Sequence, residues 1–286
     1  MLDKTIIDLR KKGYSYAELS KISGETKRVI HRIVKGVSFS EEGMIRRQKE
    51  LTGITKNIKP QQIKISPQKT RIIAHLMFDG TIFKLKYHRV MRYINSSREL
   101  INQFTQDVYE IYGLMPSAFE ELEGKTSPVF KVTFYSKEMY EDLLKYSSSY
   151  STSKTETSIP ELILKGNRDV KIEFLRAFWE DEGSISAVGR IMADLKSERV
   201  IKQIIVLQEE RGLSFKLILY HKDNKELYKI YLPKSLENLE KFQDLNLFGN
   251  SIITHGVNSK RRKEDVLKEH IEKLKNHANQ LISRRP

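Results

Sequence analysis

Two short stretches, IIAHLMFDG (72–80) and LRAFWEDEG (175–183), constrain the fold more than any other feature of the chain. Each is apolar nearly all round, the mark of a helix buried on every side. Each carries a small residue six positions before its glycine, Ala74 and Ala177, and an acid immediately before it, Asp79 and Glu182. A small residue where two helices cross lets the backbones approach closely. If the helices pack side by side, parallel about a pseudo-twofold axis, their terminal acids converge. Two carboxylates at helix C-termini are disfavoured by the helix dipole and by each other. A divalent cation relieves this, and oxygen ligands suit Mg²⁺ (or Mn²⁺), held through one or two carboxylates plus phosphate and water. The second stretch has two further acids: Asp181 falls near the helix seam and Glu180 reads as solvated. His75, on the first helix, reads as a satisfied core residue.

The rest of the composition narrows the partners. Across 286 residues, 51 Lys+Arg stand against 37 Asp+Glu, a net charge of +14. Such a field attracts polyanions. No apolar run approaches the roughly 20 residues a spanning helix needs, so a membrane surface is disfavoured and nucleic acid favoured. The N-terminus lacks a signal peptide's apolar core. With no Cys there is no thiolate metal site and no Cys nucleophile. These features lead us to expect a cytoplasmic protein.

Residues 1–40 read as three short helices closed by Gly13, Gly24 and Gly36, with Ser15 and Glu18 as a capping box. The third has an apolar face (Val29, Ile30, Ile33, Val34) and basic residues elsewhere: Lys27, Arg28, His31, Arg32 and Lys35. This is the layout of a helix-turn-helix with a basic recognition helix. A docking module with a solvated basic face is the alternative. Residues 41–63 read as a polar, basic linker, and the first 60 residues carry 14 Lys+Arg against 7 Asp+Glu, half the net charge.

From there the chain repeats itself, over 64–157 and 158–286. Each unit reads as helix, strand pair, helix, strand pair, helix, with 147–158 (SSSYSTSKTETS) as a polar linker between units and a basic helix at the end. The expected class is α+β, two tandem αββαββα units preceded by a small all-α domain.

With the motifs goes flanking text: SPQKTRIIAHLMFDGTI, YINSSRELINQF, VFKVTFYSKEMYEDLL and IPELIL. Together they resemble the LAGLIDADG family of homing endonucleases, in its two-motif, monomeric, archaeal-type form, over about residues 64–286. The resemblance implies a pseudo-twofold pair of αββαββα units whose sheets form a saddle over double-stranded DNA. It implies Mg²⁺-dependent cleavage of both strands across the minor groove, with Asp79 and Glu182 as the metal-binding catalytic acids. It also implies a lysine near each site, late in each unit. Lys154 lies 75 residues after Asp79 and Lys260 lies 78 after Glu182, with Lys263 competing for the second place. Phe78 and Asp181 occupy positions where the family commonly has a small residue, and they are expected to widen the helix crossing.

Strand alternation suggests the DNA-facing residues. Lys84, Lys86 and His88 share one face of a strand, and Phe83, Leu85 and Tyr87 the other. Lys131, Thr133 and Tyr135 oppose Phe130, Val132 and Phe134. The second unit offers Arg190, Lys196 and Lys229, with Asp194 among them, so the two halves of the target differ. Two rivals to the endonuclease share this scaffold: a non-cleaving DNA-binding regulator and an RNA maturase. The chain lacks splicing residues at its ends, so a freestanding protein is expected rather than an intein.

Overall fold

The computed structural model describes residues 2–38, 40, 43, 65–124, 128–152, 157–222 and 225–283. The chain divides into two compact units, Met1–Asn57 and Ile58–Pro286. Nearly all of the expected linker 41–63 lies outside the described residues.

The first unit holds α1 (Leu2–Lys11), α2 (Tyr16–Ser23) and α3 (Lys27–Ile33). The Ser15–Glu18 capping box is present, and Gly24 ends α2 at φ 74°, a left-handed conformation that favours glycine. Ile6, Leu19, Ile30 and Val34 form a small core of their own. Lys27, Arg28, His31, Arg32 and Lys35 are all exposed.

In the second unit the first half runs α4 (Pro67–Phe78), β1 (Gly80–Lys84), β2 (Arg89–Asn95), α5 (Arg98–Tyr112), β3 (Ala118–Leu122), β4 (Val129–Tyr135) and α6 (Lys137–Leu143). A short helix, α7 (Glu161–Leu164), leads into the second half. That half runs α8 (Arg168–Asp181), β5 (Gly183–Ile185), β6 (Ile191–Leu195), α9 (Glu198–Glu209), β7 (Lys216–Lys222), β8 (Lys225–Tyr231) and α10 (Leu236–Asp244). A long helix, α11 (Lys263–Ser283), closes the chain. Each half contributes one antiparallel four-stranded sheet, ordered β1-β2-β4-β3 and β5-β6-β8-β7. The order is the same because the same hairpin–helix–hairpin unit is used twice.

The motif helices α4 and α8 pack against each other and share one hydrophobic core with both sheets. Ala74 and Ala177 are fully buried there. Phe78 packs edge-on against Phe174 and Phe178, with ring centroids 5.6 and 5.2 Å away. Near the start of the pair Arg71 bonds Glu173 across the seam at 2.8 Å. The helices therefore run parallel, and their acid ends meet. Gly183 shows how tightly the second turn is made: a Cβ there would lie 2.5 Å from the Trp179 ring. Gly183→Ala should lower stability by about 1–3 kcal/mol, the usual range for overpacking, read as a lower urea midpoint at unchanged m-value.

One expectation is refined and one corrected. Residues 147–158 lie between the two halves, and where they are described parts of the segment are buried. Tyr150 is buried, its hydroxyl donating to the Leu143 carbonyl at 2.8 Å, and Thr157 is buried and bonds the Ser151 carbonyl at 2.6 Å. The segment is pinned by its hydroxyls, which a reading by polarity alone mistakes for solvation. The run 80–95 is the expected strand pair, but its first strand ends at Lys84, so Lys84, Lys86 and His88 do not share one face of a strand. The pair is a hairpin with residues 85–88 at its turn, closed by Leu85 N–H donating to the His88 carbonyl at 2.8 Å.

Candidate active site

Asp79 and Glu182 are the C-caps of α4 and α8. Both line one cavity of about 380 Å³, together with Asn95, Glu180, Asp181 and Lys263. Burial pushes the Asp79 carboxyl well above its ordinary range, and the charges of Asp181 and Glu182 push it further. Burial, then Asp181, raises Glu182 to about 8. Acid groups are thus concentrated where their charged form is poorly solvated.

Asp181 is the most enclosed of the acids, its side chain fully buried. Its Oδ1 accepts from the Tyr93 hydroxyl at 2.7 Å and from Asn95 Nδ2 at 3.1 Å, and its Oδ2 lies 2.8 Å from His75 Nδ1. The expected place of Asp181 at the seam is where it lies. Burial lowers the His75 pKa, but the charge and hydrogen bond of Asp181, then Glu180, outweigh this and leave it raised. His75 is a core residue, as expected. Among the described residues only one of its nitrogens is hydrogen-bonded, however: Nε2 has no such partner there and lies 3.7 Å from Glu180 Oε2, likewise without one.

Glu180 corrects the sequence reading, since it is 2% exposed rather than solvated. Its Oε1 accepts from the Asn250 N–H at 3.2 Å, and burial raises it to about 7. Gly249, at φ 44°, makes room: a Cβ there would overlap the Glu180 carboxylate. A loop some 70 residues downstream therefore seats this acid, and no local pattern announces it.

The lysines also sort differently. Lys260 is exposed, at φ 68° in the turn before α11, and does not line the cavity. Lys263, the competing residue, does. Its Nζ donates to the Trp179 and Glu180 carbonyls at 3.2 and 2.8 Å, closing the C-terminus of α8. Burial lowers it to about 8, against the pull of Asp181, Asp79, Glu180 and Glu182. Lys154 lies outside the described residues.

The remaining candidates of the second unit lie along the sheets, at strand ends and in turns. Lys131 and Thr133 lie on the outer face of β4, with Phe130, Val132 and Phe134 turned to the core, as alternation indicated. Lys131 pairs with Glu120 at 2.8 Å. For β1 the alternation is inverted. The register puts Lys84 on the side of Ile82, which packs on the core, and Phe83 on the outer side, beneath the Arg92 guanidinium at 5.4 Å. Lys84, Lys86 and His88 are exposed at the strand end and turn. Arg92 is thus a DNA-facing candidate that the sequence reading missed. Its only signal is that it pairs with Thr81 and Thr133. In the second half Arg190 and Lys196 are exposed at either end of β6, and Lys229 faces Asp194 at 3.6 Å and the Tyr220 ring at 4.6 Å.

The acids that line the cavity offer oxygen, the donor a hard cation prefers, and His255 and Lys263 line it beside them. Among the described residues no hydrogen bond reaches the Glu182 carboxylate. Also among them, no group of three or more His, Cys, Asp or Glu side chains is gathered closely enough to hold a metal ion unaided. The fit is to a cation held by two acids and completed by outside oxygens, the habit of Mg²⁺ at phosphate sites.

No family model matches the chain, and no curated protein matches it. Among solved structures it is similar to mesophilic variants of the homing endonuclease I-DmoI, at 18% identity over 63% of this chain and 95% of that one, with a TM-score of 0.49. It is similar to the homing endonuclease I-WcaI bound to its DNA recognition sequence, at 18% identity over 70% and 93%, with a TM-score of 0.48. It is also similar to full-length DUF199/WhiA from Thermatoga maritima, at 12% identity over 76% and 66%, with a TM-score of 0.47. At this level each is a likeness and no more. Its two acid-ending motif helices, paired at the centre of tandem αββαββα units, give the α+β arrangement that the sequence resemblance led us to expect.

Proposed function

We propose that the chain is a site-specific double-stranded DNA endonuclease that hydrolyses phosphodiesters with a divalent cation. The observation that carries this reading is the meeting of Asp79 and Glu182 in one cavity, both driven above their ordinary pKa by burial first and then by the charge of Asp181. A core has no use for such a pair, and a Mg²⁺ or Mn²⁺ ion with a phosphate would relieve it. When bound, the ion would supply charge neutralisation at the phosphate and an activated water. Asp79 and Glu182 would hold it. Lys263 spends two of its three protons on the end of α8, keeping that helix terminus and its acid in place. Arg92, Lys131, Lys84, Lys86, His88, Arg190, Lys196 and Lys229 would meet the DNA backbone and grooves. We read residues 1–40 as a helix-turn-helix that lengthens the footprint through Lys27, Arg28, His31 and Arg32.

The direct test incubates the protein with genomic DNA fragments and Mg²⁺ and sequences new ends, with Asp79→Asn/Glu182→Gln as control. Discrete ends that the control loses are expected. Fragments enriched by binding, with no new ends, would replace this reading with a DNA-binding regulator. Binding should also weaken roughly 10³-fold or more between 50 and 200 mM salt, as for a protein neutralising many phosphates. A flat salt profile in a filter-binding assay would contradict the nucleic-acid partner itself.

A further inference from the structure

The pseudo-twofold relating the two motifs is broken at the seam, and broken in a matched way. The registers put Gly80 opposite Tyr93 and Gly183 opposite Ala193, so Tyr93 and Asn95 of β2 correspond to Ala193 and Leu195 of β6. Two residues further on, Ser97 and Ser197 cap α5 and α9 alike, which supports the correspondence. On the motif helices His75 corresponds to Phe178, and Phe78 to Asp181.

One side of the seam is therefore apolar. Phe78 packs on Phe178, and Ala193 and Leu195 are buried. The other side is polar, with His75, Tyr93 and Asn95 all holding Asp181. Buried polar groups are retained only with partners, so these four residues make sense together and not singly.

Asn95 does more than satisfy Asp181. Its Nδ2 donates both to Asp181 Oδ1 and to Asp79 Oδ2, each at 3.1 Å. Its Oδ1 accepts from the Ser97 N–H at 2.8 Å, which fixes the orientation of the amide. The acid of the first motif is thereby tied to a cluster anchored in the helix of the second. Glu182 has no such tie, because Leu195 stands at the equivalent place.

We propose that Asn95, held by Asp181, is a positioning residue for Asp79, so that the two acids engage cation and phosphate unequally and one DNA strand depends on Asn95 far more than the other. The phosphate half of this rests on the endonuclease reading; the cation half does not.

The test uses the full chain and Mn²⁺ alone, titrated calorimetrically, with melting followed by circular dichroism and strand-resolved cleavage at a mapped site. Asn95→Leu gives the first half the residue of the second. It should weaken Mn²⁺ binding by about 10–100-fold, the range for removing a group that orients a metal ligand. Cutting of one strand should slow by a similar factor, so that nicked product accumulates. The isosteric Asp181→Asn should shift the same two readouts in the same direction by less, and it keeps the test open if Asn95→Leu fails to fold. Unchanged Mn²⁺ affinity, or equal slowing of both strands with a lowered melting temperature, would overturn the proposal and leave Asn95 a structural residue. Weakened Mn²⁺ binding in a protein that cuts no DNA would uphold the positioning role and defeat the endonuclease reading instead.

Discussion

Glu182→Gln is expected to abolish double-strand cutting and, without divalent cation, to give a protein more stable than the parent at neutral pH. The first effect follows from losing one of two cation-binding acids. A bound cation is worth several kcal/mol to the reaction, so the rate should fall roughly 10³-fold or more. The second effect follows from linkage. Glu182 has an ordinary pKa of 4.5 and is raised to about 8 in the fold. Between those values the folded chain keeps a proton that the unfolded chain has lost, so stability falls as pH rises.

A neutral glutamine has no such dependence. Its advantage should be absent below about pH 4.5, grow through neutrality and level off above about pH 8. Partial solvation of the site keeps the gain modest, about 1–2 kcal/mol. Lys263 acts in a separate window. Its pKa is lowered to about 8, so its contribution improves with pH only above that value and does not mask the Glu182 slope. Urea midpoints at pH 5 and pH 8 for both proteins, with and without Mg²⁺, check the prediction. A variant that is less stable than the parent at both pH values would show that Glu182 is a structural acid.

The second large effect lies at the other end of the helix pair. Arg71 of α4 bonds Asp107 of α5 through two nitrogens, at 2.8 and 2.6 Å, and Glu173 of α8 at 2.8 Å. Burial alone would lower its pKa, but Asp107 and Glu173 more than compensate and hold it charged. It ties the first half to the second where the helices begin. Glu173 also pairs with Arg176, so Arg71→Ala leaves Asp107 enclosed without its cation, and breaking a buried ion pair in this way costs about 3–5 kcal/mol. Arg71→Ala combined with Asp107→Leu should recover much of that loss, since apolar replacement of a buried ion pair is often neutral. Denaturant midpoints of the single and double variants measure both. The single variant should also cut more slowly, because the helix pair that sets Asp79 beside Glu182 loses its upper fastening.

What the sequence determined by itself is the duplicated helix: the apolar surround, Ala74 and Ala177, the acids at 79 and 182, and the close turns at Gly80 and Gly183. These signals are local, carried by residues within one or two helical turns. The alternation of β4 was legible for the same reason, since a strand buried on one face shows period two directly. β1 was not, because the hairpin turn at 85–88 breaks the period and only the register against β2 tells which face is inward.

Tertiary structure alone decided the rest of the site. Glu180 is seated by Gly249 and Asn250, and Lys263 rather than Lys260 lines the acids' cavity from the start of a distant helix. Asn95 bridges Asp79 and Asp181 across the seam. Periodicity records which side of an element meets a core. It carries no information about which polar atom, far along the chain, comes within hydrogen-bond distance of another, and that distance is set only when the two halves pack.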